Sequence, residues 1–155
     1  MGEQIRIELP EPHYTLFDAQ RSGKPEIIVV NDALLCFQHT EIFPWHLEIT
    51  IDATDLAQNG MPTPQESKVL FEIGDKIEKA IEGTNALFLS RSTWDGCREI
   101  SFRVHDPEVA NTTLQSLLRE KPTVRPWAYE MKSDPEWALA AYVFKLFPLA
   151  RGQDA

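Results

Sequence analysis

FPWHLEITI at residues 43–51, DATDLAQNGMPT at 52–63 and PQESKVLFEIGDKIEKAIEG at 64–83 form one continuous stretch whose hydrophobic period changes twice. Trp45, Leu47, Ile49 and Ile51 alternate with His46, Glu48 and Thr50, a period of two that predicts a half-buried strand. The polar run that follows predicts a loop. Thr63, Pro64 and Glu66 then supply an N-cap, a proline at the first helical position and a glutamate at the third, the pattern of a capping box. Leu70, Ile73, Ile77 and Ile81, joined by Val69 and Ala80, make one apolar stripe at 3.6 spacing, and Gly83 ends the helix. Gly74 inside it costs about 1 kcal/mol against alanine, which predicts a close approach to whatever the helix packs on.

Working downstream, Asp95-Gly96 is a two-residue hairpin signal, so Trp94 is expected opposite Cys97 with pairing running outward. That register places Leu87, Leu89 and Arg91 on one face with Val104, Phe102 and Ile100. Phe88, Ser90, Ser92 and Trp94 then share the other face with Arg103, Ser101, Glu99 and Cys97. Asp106-Pro107-Glu108 starts a second helix carrying Val109, Ala110, Thr113, Leu114, Leu117 and Leu118, expected to stop near Lys121-Pro122. Trp127, Tyr129 and Met131 alternate with Ala128, Glu130 and Lys132 in a last strand. Ser133-Asp134-Pro135-Glu136 opens a third helix, WALAAYVFKLF, apolar almost all round. Upstream, Tyr14–Asp18 and Glu26–Val30 read as two strands about the turn at Gly23. ALLCF at 33–37 reads equally as a strand or a helical turn.

Strand, helix, hairpin, helix, strand over residues 44–132 is the βαββαβ order of a ferredoxin-like α+β sandwich. The expected sheet is antiparallel with order 4-1-3-2 and both helices on one face. The N-terminal strands are expected to extend an edge or cover the other face, as is the C-terminal helix. One domain over 14–148 follows, with 1–13 and 149–155 as loose termini.

Phe43-Pro44-Trp45, Gly60-Met61-Pro62-Thr63 with Glu66, Arg98-Glu99 and Asp134-Pro135-x-Trp137 together resemble the bacterial domain-of-unknown-function family numbered 695, from about Tyr14 to Phe147. The resemblance implies a ferredoxin-like or RraB-like α+β fold, RraB being a protein inhibitor of ribonuclease E. It supplies no catalytic motif, and a ribonuclease-inhibitor-like role follows from it only by analogy of fold.

Twenty-four acidic residues against 15 basic ones give a formal charge of −9 over 155 residues. That balance argues against a nucleic-acid partner, whose phosphates are met by Lys and Arg. No apolar run reaches the ~20 residues of a membrane helix, and the N-terminus has no apolar signal core, so a cytoplasmic location is expected. Cys36 and Cys97 read as two reduced, mostly buried thiols.

The candidate site is the sheet face opposite the helices: His46, Glu48, Thr50, Phe88, Ser90, Ser92, Trp94, Glu99, Ser101 and Arg103. Charges set between aromatics suit a docking groove for a protein partner or for a second copy of the chain. The plainer reading is a solvated face with cross-strand Glu–Arg pairs. His39, Glu41 and His46 do not have the spacing of a metal motif, and Asp52 and Asp55 read as turn caps. Ser90, Ser92 and Ser101 lack a nucleophile elbow. His105 reads as the end of a strand. Arg91 and Arg98 fall on the helix side, where they reach helix glutamates or an anion. No cofactor, metal or catalytic residue is expected. The expectation is a non-enzymatic regulatory or interaction domain, the alternative a ligand-binding protein or enzyme with a pocket on the open face.

Overall fold

The computed structural model describes residues 8–81, 83–120 and 124–147. The expected loose leader before Glu8, the helix stop at Lys121-Pro122 and the tail from Pro148 lie outside them. Six strands form one sheet: β1 (Tyr14–Arg21), β2 (Lys24–Asn31), β3 (Trp45–Asp52), β4 (Ala86–Trp94), β5 (Cys97–Val104) and β6 (Trp127–Ser133). Their order is β1-β2-β4-β5-β3-β6, every pairing antiparallel. This differs from the expected four-stranded sheet of order 4-1-3-2. The N-terminal hairpin is part of the same sheet, because Glu26 to Val30 pair with Trp94 to Ser90.

Helices α1 (Pro64–Ile81) and α2 (Pro107–Arg119) pack on one face. Leu70, Ile77 and Ile81 of α1 and Ala110 and Leu114 of α2 close over Leu47, Ile49, Ile51, Ile100, Phe102 and Val104. The stripe read from the sequence is therefore the buried one, although Val109 and Ala80 fall outside it and are exposed. Gly74 meets the sheet: a Cβ there would lie 2.9 Å from the Ile100 Cδ1.

The capping box forms by half. Thr63 Oγ1 accepts from the Glu66 N–H at 3.3 Å. The Glu66 carboxylate turns away from the cap and accepts from the Thr54 N–H at 2.7 Å and from Arg125 Nε and Nη2 at 2.8 and 2.5 Å. It is buried, and the Arg125 bonds, then the Thr54 amide, bring its pKa down to about 2.

The hairpin keeps its expected register from the turn to Ser90: Trp94 pairs Cys97, Ser92 pairs Glu99, Ser90 pairs Ser101. Asp95 and Gly96 both have positive φ, 44° and 79°, as a two-residue turn requires. Beyond Ser90 the expected parity fails. A β-bulge between Phe88 and Ser90 inserts Leu89, so Phe88 pairs Phe102 and Leu87 pairs Arg103. Phe88 accordingly packs in the helix-side core, edge-on to Phe102. Leu87 and Leu89 move to the opposite face.

That opposite face carries a second core. Phe17, Ile28, Val30, Leu87 and Leu89 of the sheet meet Leu34, Phe43 and the C-terminal residues Trp137, Ala140, Val143 and Phe147. The expected long third helix is not formed. Residues 135–140 are turns or irregular, and among the described residues of this segment helix is confined to α3 (Ala141–Phe144) and, after a break at Lys145, to Leu146 and Phe147. The interruption is local: Trp137 takes a left-handed φ of 58°. Asp32–Cys36 is a 3-10 turn, and Cys36, expected buried, is exposed; neither cysteine is in a disulfide. No helix among the described residues is long and apolar enough to cross a membrane.

Candidate functional site

Beside Leu139, Tyr142 and Val143 of the C-terminal segment, the second face of the sheet carries a pocket of about 300 Å³. Its floor is built by cross-strand pairing. Glu48 of β3 stands between Glu130 of β6 and Ser101 of β5, and Ser101 pairs Ser90 of β4. One rung along, Thr50 pairs Glu99, which pairs Ser92. On the other side, His46 lies between Lys132 and Arg103. Ile28, Leu89, Leu139, Tyr142 and Val143 supply the apolar wall.

Three carboxylates, Glu48, Glu99 and Glu130, thus line one pocket. Like charges on neighbouring strands destabilise a sheet. Burial, then a hydrogen bond to Glu99 and the charges of Glu99 and Glu130, raises the Glu48 carboxyl above its ordinary pKa. Glu48 is therefore the carboxyl of the three that holds its proton more firmly than an ordinary glutamate. Lys132 lies 3.6 Å from Glu130, and Arg21 is 3.4 Å from Glu99 and 3.6 Å from Glu26. Ser92 is committed to Glu26, donating at 2.5 Å. These ion pairs are long and partly solvated, so they offset the carboxylates only in part.

His46 is neutral. Burial, then the Arg103 charge, lowers it to about 4. Arg103 Nη1 lies 3.3 Å from His46 Nδ1. A guanidinium only donates, so Nδ1 is the acceptor and the proton resides on Nε2. His46, one of the lining residues, thus carries its donor on Nε2, with its tautomer set by Arg103.

Of the residues expected on this face, His46, Glu48, Ser90, Ser92, Glu99 and Ser101 come together in the pocket. Thr50 is on the same face, one residue beyond the lining. Phe88 is on the other face because of the bulge. Trp94 is engaged by Arg21: its Nε1 donates to the Arg21 carbonyl at 2.8 Å and the guanidinium stacks 3.8 Å above its ring. Arg103, expected at the surface, is fully buried beneath Trp137. The sequence reading missed Glu130 and Lys132, although the alternation of β6 places both opposite its apolar face. It also missed Leu139, Tyr142 and Val143, for which an all-round apolar segment gives no signal.

The remaining candidates have structural partners. Asp55 accepts from Thr63 Oγ1 at 2.7 Å, and His105 Nδ1 lies 2.6 Å from the Ile42 carbonyl. His39 and Glu41 sit at an exposed 3-10 turn, 3.9 Å apart. Among the described residues no three His, Cys, Asp or Glu side chains are grouped to hold a metal ion.

The pocket can hold a positively charged group against three carboxylates while the aliphatic wall takes a short hydrocarbon. Residues 14–143 match the model of a family described as a family of unknown function (DUF695). No curated protein matches the chain.

Proposed function

The chain belongs to DUF695, a family of unknown function, and we propose that it is a non-enzymatic binding protein whose acidic pocket takes a small organic cation. The observation that carries this is the placing of Glu48, Glu99 and Glu130 around one cavity of about 300 Å³, with aliphatic walls. That volume is at the lower end of small-molecule sites. An ammonium group entering it relieves the carboxylate repulsion that the empty sheet face carries, so the protein's own electrostatics favour the bound state.

Calorimetric titration with 1,4-diaminobutane, with 1-butanol as the uncharged control, tests the reading. The diamine is expected to bind, and Glu48→Gln or Glu130→Gln to weaken it roughly tenfold, the range of one charge-assisted hydrogen bond. Equal heats for the two compounds, or diamine binding that both variants leave intact, would overturn it.

The regulatory, protein-docking role expected from the sequence uses the same pocket if a partner inserts a lysine or arginine side chain. The C-terminal residues Leu139, Tyr142 and Val143 wall in part of the expected docking groove, which favours the small ligand. An enzymatic reading is supported by one observation, the raised Glu48 carboxyl bonded to Glu99, an arrangement suited to proton transfer. Recovery of the diamine unchanged after prolonged incubation, judged by mass spectrometry, counts against that reading. We read the unit from β3 to β6 as a ferredoxin-like sandwich extended by the β1–β2 hairpin. The adjacency of β4, β5, β3 and β6 and the two helices on one face support this. The fold by itself assigns no activity.

A further inference from the structure

On the helix side of the sheet, Arg98 is 93% buried, with 7% of its surface exposed. Its one hydrogen bond among the described residues runs from Nε to Thr93 Oγ1 at 3.2 Å, and no carboxylate pairs with it. Its charged neighbour is a second cation, Arg91, whose guanidinium lies 5.5 Å from the centroid of the Phe71 ring. Burial, then the Arg91 charge, lowers Arg98 to about 10, which leaves it protonated at neutral pH. A cation held this deep without a counter-charge is costly, and among the described residues neither Nη group of Arg98 has a hydrogen-bond acceptor.

Both arginines line a cleft of about 40 Å³ between α1 and the β4–β5 hairpin. That is about three times the space one water needs, the size of a small oxyanion. The acids at its rim are already engaged. Asp75 pairs with Lys79 at 3.0 Å, and the Glu78 charge offsets part of the burial that lowers the Arg91 pKa. A glutamate charge thus acts on Arg91, whereas among the described residues no carboxylate is paired with Arg98.

We propose that Arg98, with Arg91, forms a binding site for a small oxyanion, a carboxylate or a phosphate group, in the cleft between α1 and the β4–β5 hairpin. The planar guanidinium suits two-point contact with such a group. The anion supplies the counter-charge that Arg98 lacks, and the Phe71 and Leu70 side chains bound the cleft on the helix side. The site is on the opposite face of the sheet from the acidic pocket and stands or falls independently of it.

Thermal unfolding of the full chain in sodium phosphate, sodium acetate and sodium chloride at one ionic strength tests the proposal. Phosphate, acetate or both are expected to raise Tm over chloride in a saturable manner, by about 3–6 °C at ten times the dissociation constant. Which salt acts names the anion. Arg98→Met is expected to abolish this rise whatever its own Tm in chloride. Should the variant not fold, the Arg98 Nε–H resonance of the wild-type chain provides a second reading, expected to shift on titration with the active anion and not with chloride. Identical Tm values in the three salts, a full rise in Arg98→Met, or an Nε–H resonance that responds equally to chloride would overturn the site.

Discussion

Arg103 Nη1 donates to the Asp134 carboxylate at 2.8 Å, and Arg103 Nη2 donates to the Asp134 carbonyl at 2.5 Å, so one strand residue grips both ends of one aspartate. The same guanidinium reaches the Phe43 carbonyl at 3.2 Å and lies 4.5 Å from the centroid of the Trp137 ring. Asp134 in turn accepts from the Ala138 and Leu139 amides at 3.1 and 3.0 Å. Trp137 Nε1 donates to the carbonyls of Thr40 and Phe43. Phe43-Pro44-Trp45 and Asp134-Pro135-x-Trp137 are far apart in the chain, and Arg103 joins them. What reads on the sequence as a cation for a binding surface is the rivet that fastens the C-terminal segment over the sheet and orients His46.

Removing that rivet strands a buried carboxylate. Arg103→Met is expected to lower unfolding stability in urea by on the order of 3–5 kcal/mol, the cost of breaking one side of a buried ion pair. That is a large share of the ~5–15 kcal/mol that a domain possesses. Arg103→Met combined with Asp134→Asn is expected to cost less than the sum of the single changes, because the second removes the charge that the first leaves unpaired. Strict additivity of the three stabilities would contradict the account.

Stability is expected to fall on the acid side in two steps. His46 titrates near 4 folded and 6.5 unfolded, so between those values the unfolded chain binds the proton and the folded one does not. Its contribution is whole above pH 6.5 and is lost as the pH falls towards 4, with a slope of at most about 1.4 kcal/mol per pH unit. Glu48 acts in the opposite sense, since its raised carboxyl favours the folded state as the pH falls from above its folded pKa to 4.5. Denaturant midpoints measured from pH 8 to 4 should therefore decline below 6.5 in the wild type. The decline should be shallower in His46→Gln and steeper in Glu48→Gln.

Glu66 governs the second step. Its carboxyl titrates near 2 folded against 4.5 in an ordinary setting, so its contribution is complete above pH 4.5 and lost as the pH falls towards 2. Glu66→Gln keeps the shape and loses the charge on which Arg125 and the Thr54 amide converge. Roughly 1–3 kcal/mol should be lost at pH 7. Below pH 4.5 the variant and the wild type should converge, as followed by circular dichroism during acid titration. A constant gap down to pH 2 would contradict this assignment.

How far the sequence reached differs from element to element for physical reasons. The register next to Asp95-Gly96 was legible because the turn dictates it and polar Ser90 and Ser92 mark one face. The bulge was not, because Leu87, Phe88 and Leu89 are all apolar and either parity buries them. β3 and α1 were legible from their two distinct periods. The C-terminal segment was not: its caps and apolarity favour a helix, and tertiary bonds to Arg103 and the backbone of Thr40 and Phe43 impose turns instead. Half of the pocket was readable from strand parity. Its other half depends on β6 lying beside β3 and on where Leu139, Tyr142 and Val143 pack, both long-range outcomes of packing.

Gly74 gives a test in which two local effects oppose each other. Alanine would gain about 1 kcal/mol of helix propensity over glycine. Its Cβ, however, would lie 2.9 Å from the Ile100 Cδ1, inside the core that α1 makes with β5. Ile100 is almost fully buried, so its side chain can yield only by disturbing neighbours, at a typical cost of 1–3 kcal/mol. Gly74→Ala should therefore be neutral to moderately destabilising in chemical unfolding. Gly74→Val adds two further carbons to the clash and loses helix propensity, so it should cost distinctly more. Ile100→Val, which removes that δ-methyl, should turn Gly74→Ala from a loss into a gain when the two are combined. If the double variant were no more stable than Ile100→Val alone, the contact with Ile100 would not be what keeps glycine at position 74.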